Sequence, residues 1–252
     1  MVKNFYSKAV STFCNDDIGK INQKIYLMFH SIEAEDSSHK SIYHLPKNRF
    51  KEICDFLDNL RKEAQKTNGS SLEIIFTFDD GYRNYINNAL PVLDYYSFKS
   101  IIFLIAENIN DTSGKYISNN DLKLLSHHSA VKIGIHGYSH SDLSKLSNFE
   151  LENEFKKLKK VCKFSNLKTN YFSLPFGRAN ENVISKLFEN GYKDIFTSDY
   201  GYEVSSKGGL SLYPRIDIWS SDSNNVIKQK LMQQWKLFFI IESYRAKLFR
   251  VN

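Results

Sequence analysis

Two short segments hold residue types able to do metal-assisted chemistry. Thr77-Phe78-Asp79-Asp80-Gly81 closes an apolar run, Leu72 to Phe78, with two adjacent carboxylates and a glycine. His136-Gly137-Tyr138-Ser139-His140 closes a second run, Val131 to Ile135, with two imidazoles four residues apart. Two imidazoles and one carboxylate form a tripod that leaves coordination positions open to water and substrate, as a catalytic divalent metal requires. A closed structural zinc would take four ligands, usually with cysteine among them. Adjacent strand residues point to opposite faces, so Asp79 and Asp80 converge only where the strand ends, a turn that Gly81 permits. Either signal alone is weak: Asp-Asp-Gly is an ordinary turn, and an HxxxH arises by chance among seven histidines. Placed together at the ends of successive strands, they point to an enzyme with a metal and a spare carboxylate beside it.

The elements that must position these residues can be read from periodicity. Lys24 to His30 is a short apolar run and reads as a buried strand. Phe50, Ile53, Leu57 and Leu60 recur at helical spacing and make Pro46 to Gln65 an amphipathic helix, with Pro46 at its start. The Asp79 strand is followed by a helical stretch interrupted by Pro91, a strand at Ser100 to Ile105 and a short helix at Asp121 to Ser126. After the histidine strand, Ser147 to Glu150 fits a capping box, and Leu151, Phe155, Leu158 and Cys162 form a helical stripe. Tyr171 to Leu174, Asp194 to Thr197 and Leu210 to Ile216 read as further strands, with a helix at Glu181 to Glu189. Strands alternating with helices imply an α/β fold with a parallel sheet, open or closed into a barrel, whose functional residues gather at the carboxyl ends of the strands. No repeat or linker divides the chain, so residues 24–252 are expected to form one domain after a loose lead-in at 1–23.

The 252 residues carry 42% hydrophobic side chains, with 19 Phe and 15 Tyr, enough for a substantial core. The net charge of +6 is mild and interspersed, which argues against nucleic acid as a partner. Three cysteines, Cys14, Cys54 and Cys162, are far apart and suggest no disulfide framework. Met1 to Asp16 lacks the apolar stretch of a signal peptide, so the default expectation is cytoplasmic. Lys228 to Arg250 reads as one long helix with a wide apolar face and a basic end. It would pack against the barrel or dock on the inner face of a membrane, and the second case would suit a lipid-linked substrate.

TFDDGYRNYINNALPVL followed by IGIHGYSHSDLSKLS resembles the polysaccharide deacetylases of the NodB-homology type, carbohydrate esterase family four. The likeness runs from about Lys24 and includes Ser173-Leu174-Pro175-Phe176-Gly177 and Asn190-Gly191-Tyr192. It implies a distorted (β/α) barrel of about seven parallel strands and removal of N-acetyl groups from amino sugars. Carried over by position, it implies Asp80, His136 and His140 as metal ligands and Asp79 as general base, with an oxyanion held near the Phe176 N–H. Pro175, Phe176 and Gly177 become candidate substrate contacts. Zinc is the default ion, with nickel, cobalt, iron or manganese as alternatives.

Two departures from that family's pattern stand out. Ser173 occupies the place where relatives commonly carry an Arg that orients the base; Arg215 is the candidate substitute, with Asp217 bracing it, against an ordinary surface ion pair. No histidine follows His140 to protonate the leaving amine. Tyr26 to Ile32 resembles the early Tyr/Phe-His strand of a rearranged branch and makes His30 the candidate acid, against a buried structural histidine. Trp219 could stack on a sugar or sit in the core, and His44, His127 and His128 read as surface or loop residues. The resulting expectation is a metal-dependent N-deacetylase of surface glycan biosynthesis. Its rivals are a metal amidohydrolase acting on a non-sugar amide and an inactive carbohydrate-binding descendant.

Overall fold

The computed structural model describes residues 6–7, 24–35, 41–68 and 72–241. Six parallel strands form the centre of one sheet: β1 (Lys24–Phe29), β4 (Glu73–Phe78), β5 (Lys99–Leu104), β6 (Val131–Ile135), β7 (Tyr171–Ser173) and β8 (Asp194–Phe196). A small parallel pair, β2 (Ser31–Glu33) and β3 (His44–Pro46), follows β1. β9 (Ser205–Lys207) runs antiparallel to β10 (Leu210–Tyr213), and β11 (Ile216–Asp217) pairs with β1. The sheet order is β11-β1-β4-β5-β6-β7-β8-β10-β9.

The expected single strand from Leu210 to Ile216 is therefore two strands on opposite margins of the sheet, joined only by Pro214-Arg215. Three residue steps span at most about 11 Å, so the two margins must approach each other. Ring contacts give the same answer. Five strand steps separate β1 from β8 and would hold them roughly 24 Å apart in a flat sheet. Yet the Tyr26 ring lies 5.1 Å from Phe196 and 5.4 Å from Tyr213. The sheet is curled into a distorted (β/α) barrel, as expected, with nine strands rather than about seven because β9 and β11 add to the margins.

The helices cover the outside: α1 (Lys47–Asn68), α2 (Leu90–Tyr95), α3 (Asn119–Ser126), α4 (Asn148–Phe164), α5 (Glu181–Glu189) and α6 (Asn224–Leu231). Pro46 closes β3 and α1 begins at Lys47. A π-helical turn, Tyr85–Ala89, leads into α2, where Pro91 sits in the first turn and is tolerated there. Ser147 and Glu150 form the expected capping box at the start of α4.

Strand alternation sorts the side chains. Ile25, Leu27 and Phe29 of β1, with Ile74, Phe76 and Phe78 of β4, pack outward under the helices. Tyr26, Ile75, Ile101, Phe103 and Phe196, joined by Tyr171 and Tyr213, fill the interior. Counting on by two from these interior residues gives His30 after Tyr26, Asp79 after Ile75, Ser173 after Tyr171, Ser198 after Phe196, and Arg215 then Asp217 after Tyr213. Gly134 lies on the same face, its missing side chain leaving room for Phe103 and Tyr171, and His136 follows it. The interior thus changes from aromatic below to polar at the carboxyl ends, where the site lies.

At the carboxyl end of the chain, α6 stops at Leu231, Gln233 takes φ 56° and helical structure resumes only near Lys236. Lys228 to Arg250 is thus not one continuous helix, and 242–252 lie outside the described residues. Of the expected lead-in at 1–23, only Tyr6 and Ser7 are described. The Tyr6 ring lies 5.2 Å from Trp235, and Ser7 Oγ donates to Gln229 Oε1 at 2.8 Å. No helix among the described residues is long and apolar enough to cross a membrane.

Candidate active site

The carboxyl ends of β1, β4, β6 and β11 open into a cavity of about 440 Å³, lined in part by His30, Asp79, Asp80, His136, His140 and Asp217. Asp80, His136 and His140 place one donor atom each within 4.8 Å of the others. Asp80 Oδ1 lies 3.7 Å from His136 Nε2 and 3.4 Å from His140 Nε2, and it is buried with no hydrogen-bond donor among the described residues. A buried orphan acceptor costs free energy unless something satisfies it. His136 Nδ1 lies 2.9 Å from the Ser173 carbonyl, so the ring donates there and turns a lone pair on Nε2 toward Asp80. Burial lowers the His136 pKa to about 4, keeping the ring neutral, as a metal ligand must be. These three residues fit a divalent cation by donor type, tautomer and the orphaned oxygen.

Local backbone conformation turns both ligand loops inward. Asp80 and Gly81 both have φ 71°, while Gly137 has φ 77° and His140 φ 59°. Left-handed backbone at non-glycine residues is strained and recurs at functional sites. The Gly81 carbonyl accepts from Ile117 N at 2.9 Å, which ties the Asp80 turn to the segment before α3.

Asp79 is buried beside this group, its Oδ2 3.9 Å from His136 Nε2. Arg215 grips it with two bonds, Nη1 to Oδ1 at 2.8 Å and Nη2 to Oδ2 at 2.9 Å. The same guanidinium donates to Ser173 Oγ at 3.0 Å, to Thr77 Oγ1 at 3.2 Å and, through Nε, to the Thr197 carbonyl at 2.9 Å. Burial alone would raise the Asp79 pKa, but the Arg215 charge, with smaller help from His136 and His30, holds the carboxyl well below the usual carboxylate range. Arg215 is thus an interior residue, not a surface one. The small Ser173 side chain supplies it with an acceptor at the position where a longer residue was expected.

His30 lines the cavity, its ring 4.7 Å from that of Tyr43 and its Nδ1 buried without a partner among the described residues. Desolvation lowers its pKa, opposed by the charges of Asp79 and Asp80. Phe176, at φ 59°, exposes 57% of its surface at the cavity wall and packs against His140 with ring centroids 4.9 Å apart. Pro175 is buried against Gly137, and Gly177 passes so close to Ser198 that a Cβ would lie 2.6 Å from that residue's Cβ.

Three placements differ from the sequence reading. Asp217 does not brace Arg215: its Oδ2 accepts from the Trp219 indole N–H instead. Trp219 is not part of the cavity wall; the Lys230 ammonium sits 4.2 Å from its ring centroid and Phe239 lies against it. His44 was missed. It lines the cavity, edge-on to Tyr82 at 6.0 Å and 3.9 Å from Glu33. Its only sequence signal was the short apolar context of β3, too brief to separate from a loop.

The profile of the polysaccharide deacetylase family matches residues 66–195, a span that includes the Asp79-Asp80 and His136–His140 motifs. The chain belongs to the polysaccharide deacetylase family. It is 29% identical over 201 residues to YxkH of Bacillus subtilis (strain 168), covering 74% of this chain and 68% of that one. Among solved structures it resembles the Streptococcus pyogenes deacetylase PplD (TM-score 0.67, 20% identity, 83% of this chain and 98% of that one). IcaB from Ammonifex degensii is similar in fold (TM-score 0.65, 19% identity, 84% and 97% covered).

Proposed function

We propose that this chain is a metal-dependent hydrolase that removes N-acetyl groups from an amino sugar during surface glycan biosynthesis. The observation that carries this reading is the orphaned Asp80 Oδ1 facing two Nε2 atoms, with an ionised Asp79 pinned next to it by Arg215. Asp80, His136 and His140 would hold the cation; zinc suits two nitrogens and one oxygen, and nickel, cobalt, iron or manganese could serve. Such a cation supplies Lewis acidity toward water and the amide carbonyl.

The protein's own groups do the rest. Asp79 stays charged at neutral pH and accepts the attacking water's proton on Oδ2, the oxygen nearer His136. Arg215 holds that oxygen in place and keeps it ionised. The Phe176 backbone N–H, turned by its left-handed φ, donates to the developing oxyanion. His30 relays the proton that Asp79 takes from water to the departing amine; desolvation lowers its pKa, so the ring is neutral at rest and gives that proton up readily once charged. Pro175, Phe176 and Gly177 shape the wall against which the sugar lies. A lipid-linked substrate, with the protein at the inner face of a membrane, remains one version of this reading.

The deciding experiment is acetate release from a panel of N-acetylated saccharides, using chelated protein resupplied with single metals. Metal-dependent release that Asp79→Asn abolishes is the expected result. Release from simple amides but from no sugar would instead favour the amidohydrolase reading.

A further inference from the structure

Asp217 is an interior residue at the cavity to which the mechanism above gives no task. It follows Tyr213 and Arg215 on the inward-facing side of the segment that joins the two margins of the sheet, and it lines the catalytic cavity. Its neighbours fix it firmly. The Trp219 indole N–H donates to Oδ2, and the Lys230 ammonium donates to its main-chain carbonyl at 2.7 Å. The Lys230 ammonium also pairs with Asp222 Oδ2 at 2.7 Å. Asp217 Oδ1, shielded from bulk water, meets no donor among the described residues.

A carboxylate oxygen in that condition carries a desolvation cost that a ligand donor would remove. Burial, only partly offset by Lys230, pushes the Asp217 carboxyl up to about 6, which is the same demand expressed as proton affinity. The cavity is otherwise suited to a sugar ring. The Phe176 and Tyr43 rings offer apolar faces to the C–H side of a pyranose, so its hydroxyls are left to seek polar partners.

We propose that Asp217 is a substrate-recognition residue whose Oδ1 accepts a hydrogen bond from a hydroxyl of the acetamido sugar, restricting the enzyme to sugars in which that hydroxyl is free. This inference rests on the deacetylase reading and adds a substrate class to it: acetamido sugars ether- or ester-substituted at that hydroxyl are rejected. A site built to bond a hydroxyl discriminates sharply against analogues that lack it, because its own buried group is then left unpaired.

The test uses N,N′,N″-triacetylchitotriose and its monodeoxy analogues with wild type, Asp217→Asn, Asp217→Ala and Trp219→Phe. Acetate release and calorimetric affinity are measured side by side. Wild type should lose on the order of ten- to hundredfold in kcat/KM on one deoxy analogue. Asp217→Ala should treat that analogue and its parent alike, with the parent reduced by a similar factor. Asp217→Asn, whose amide oxygen still accepts, should keep part of the discrimination. Trp219→Phe removes the donor to Oδ2 without touching Oδ1 and should retain it. Equal discrimination in wild type and Asp217→Ala, or its loss in Trp219→Phe, would overturn the proposal. If the parent sugar yields no acetate, the activity reading fails for that sugar, and affinity decides the inference alone. A binding preference lost only in Asp217→Ala supports it, and no preference in wild type refutes it.

Discussion

Arg215 and Asp79 meet in a two-pronged ion pair, 2.8 and 2.9 Å between atoms, across 136 residues of sequence. The pair is buried, so each partner depends on the other for compensation of its charge. Replacing Arg215 with Ala should destabilise the fold by about 3–5 kcal/mol, because an unpaired carboxylate would remain inside. Denaturant titration at neutral pH checks this. Arg215→Ala/Asp79→Asn should recover a large part of the loss, since the stranded charge is gone.

In the proposed mechanism the same pair sets the acid limit of activity. Asp79 has a depressed pKa in the folded protein, so the stability it contributes is present above its unfolded value and is lost as pH falls through the folded one. Losing part of the two-bond Arg215 grip raises the Asp79 pKa. The acidic limb of kcat/KM should therefore move to higher pH in Arg215→Lys, whose ammonium cannot make both bonds, with a rate loss on the order of a hundredfold. A pH–rate profile whose acidic limb stays put would sink the assignment of Asp79 as base.

His30 can be tested through the leaving group. His30→Gln should slow release from an acetamido sugar by about 10²–10⁴-fold. An aryl acetate, which expels a stable anion, should suffer far less. Equal losses on both substrates would mean that His30 positions rather than protonates.

Metal binding should be read by stability as well as by rate. His136 has a lowered pKa of about 4, so metal-free protein should lose stability as pH falls from the ordinary histidine range toward that value. Below about 4 this contribution is gone. Zinc at 100 times its Kd should stabilise the fold by about 2.7 kcal/mol near pH 7. His140→Ala should weaken this thermal shift. An unchanged shift would place the ion elsewhere.

Gly177→Ala offers a backbone test. The position has φ 68°, and an added Cβ would come within 2.9 Å of the Ser198 main-chain nitrogen. We expect a loss of about 1–3 kcal/mol in chemical denaturation and a raised KM, since Phe176 precedes it at the cavity wall.

The grouping of Asp80, His136 and His140 was legible because these residues follow apolar runs that end abruptly, and strand ends are where a parallel sheet gathers polar side chains. Arg215 could be nominated for the same reason. Its pairing could not, because nothing local says that the run from Leu210 splits at Pro214 and crosses to the opposite margin. His44 escaped because β3 has three residues, too few for a period to show. The carboxyl-terminal helix was drawn too long for a related reason. Apolar spacing continues through Met232 to Trp235, while Gln233 leaves the helical conformation without a glycine or proline to announce it. Trp219 looked free to meet a sugar because a sequence cannot show Lys230 lying over its ring.

The crossing from β10 to β11 also sets an order of assembly. Asp80, His136 and His140 are all present once residue 140 has left the ribosome, but the partner of Asp79 arrives only with residue 215. A nascent chain paused between those points would carry the Asp80, His136 and His140 group and an Asp79 carboxylate with no Arg215 to compensate its charge. β11, the last strand among the described residues, pairs with β1 directly after Arg215, so that margin and the Arg215 cation arrive together.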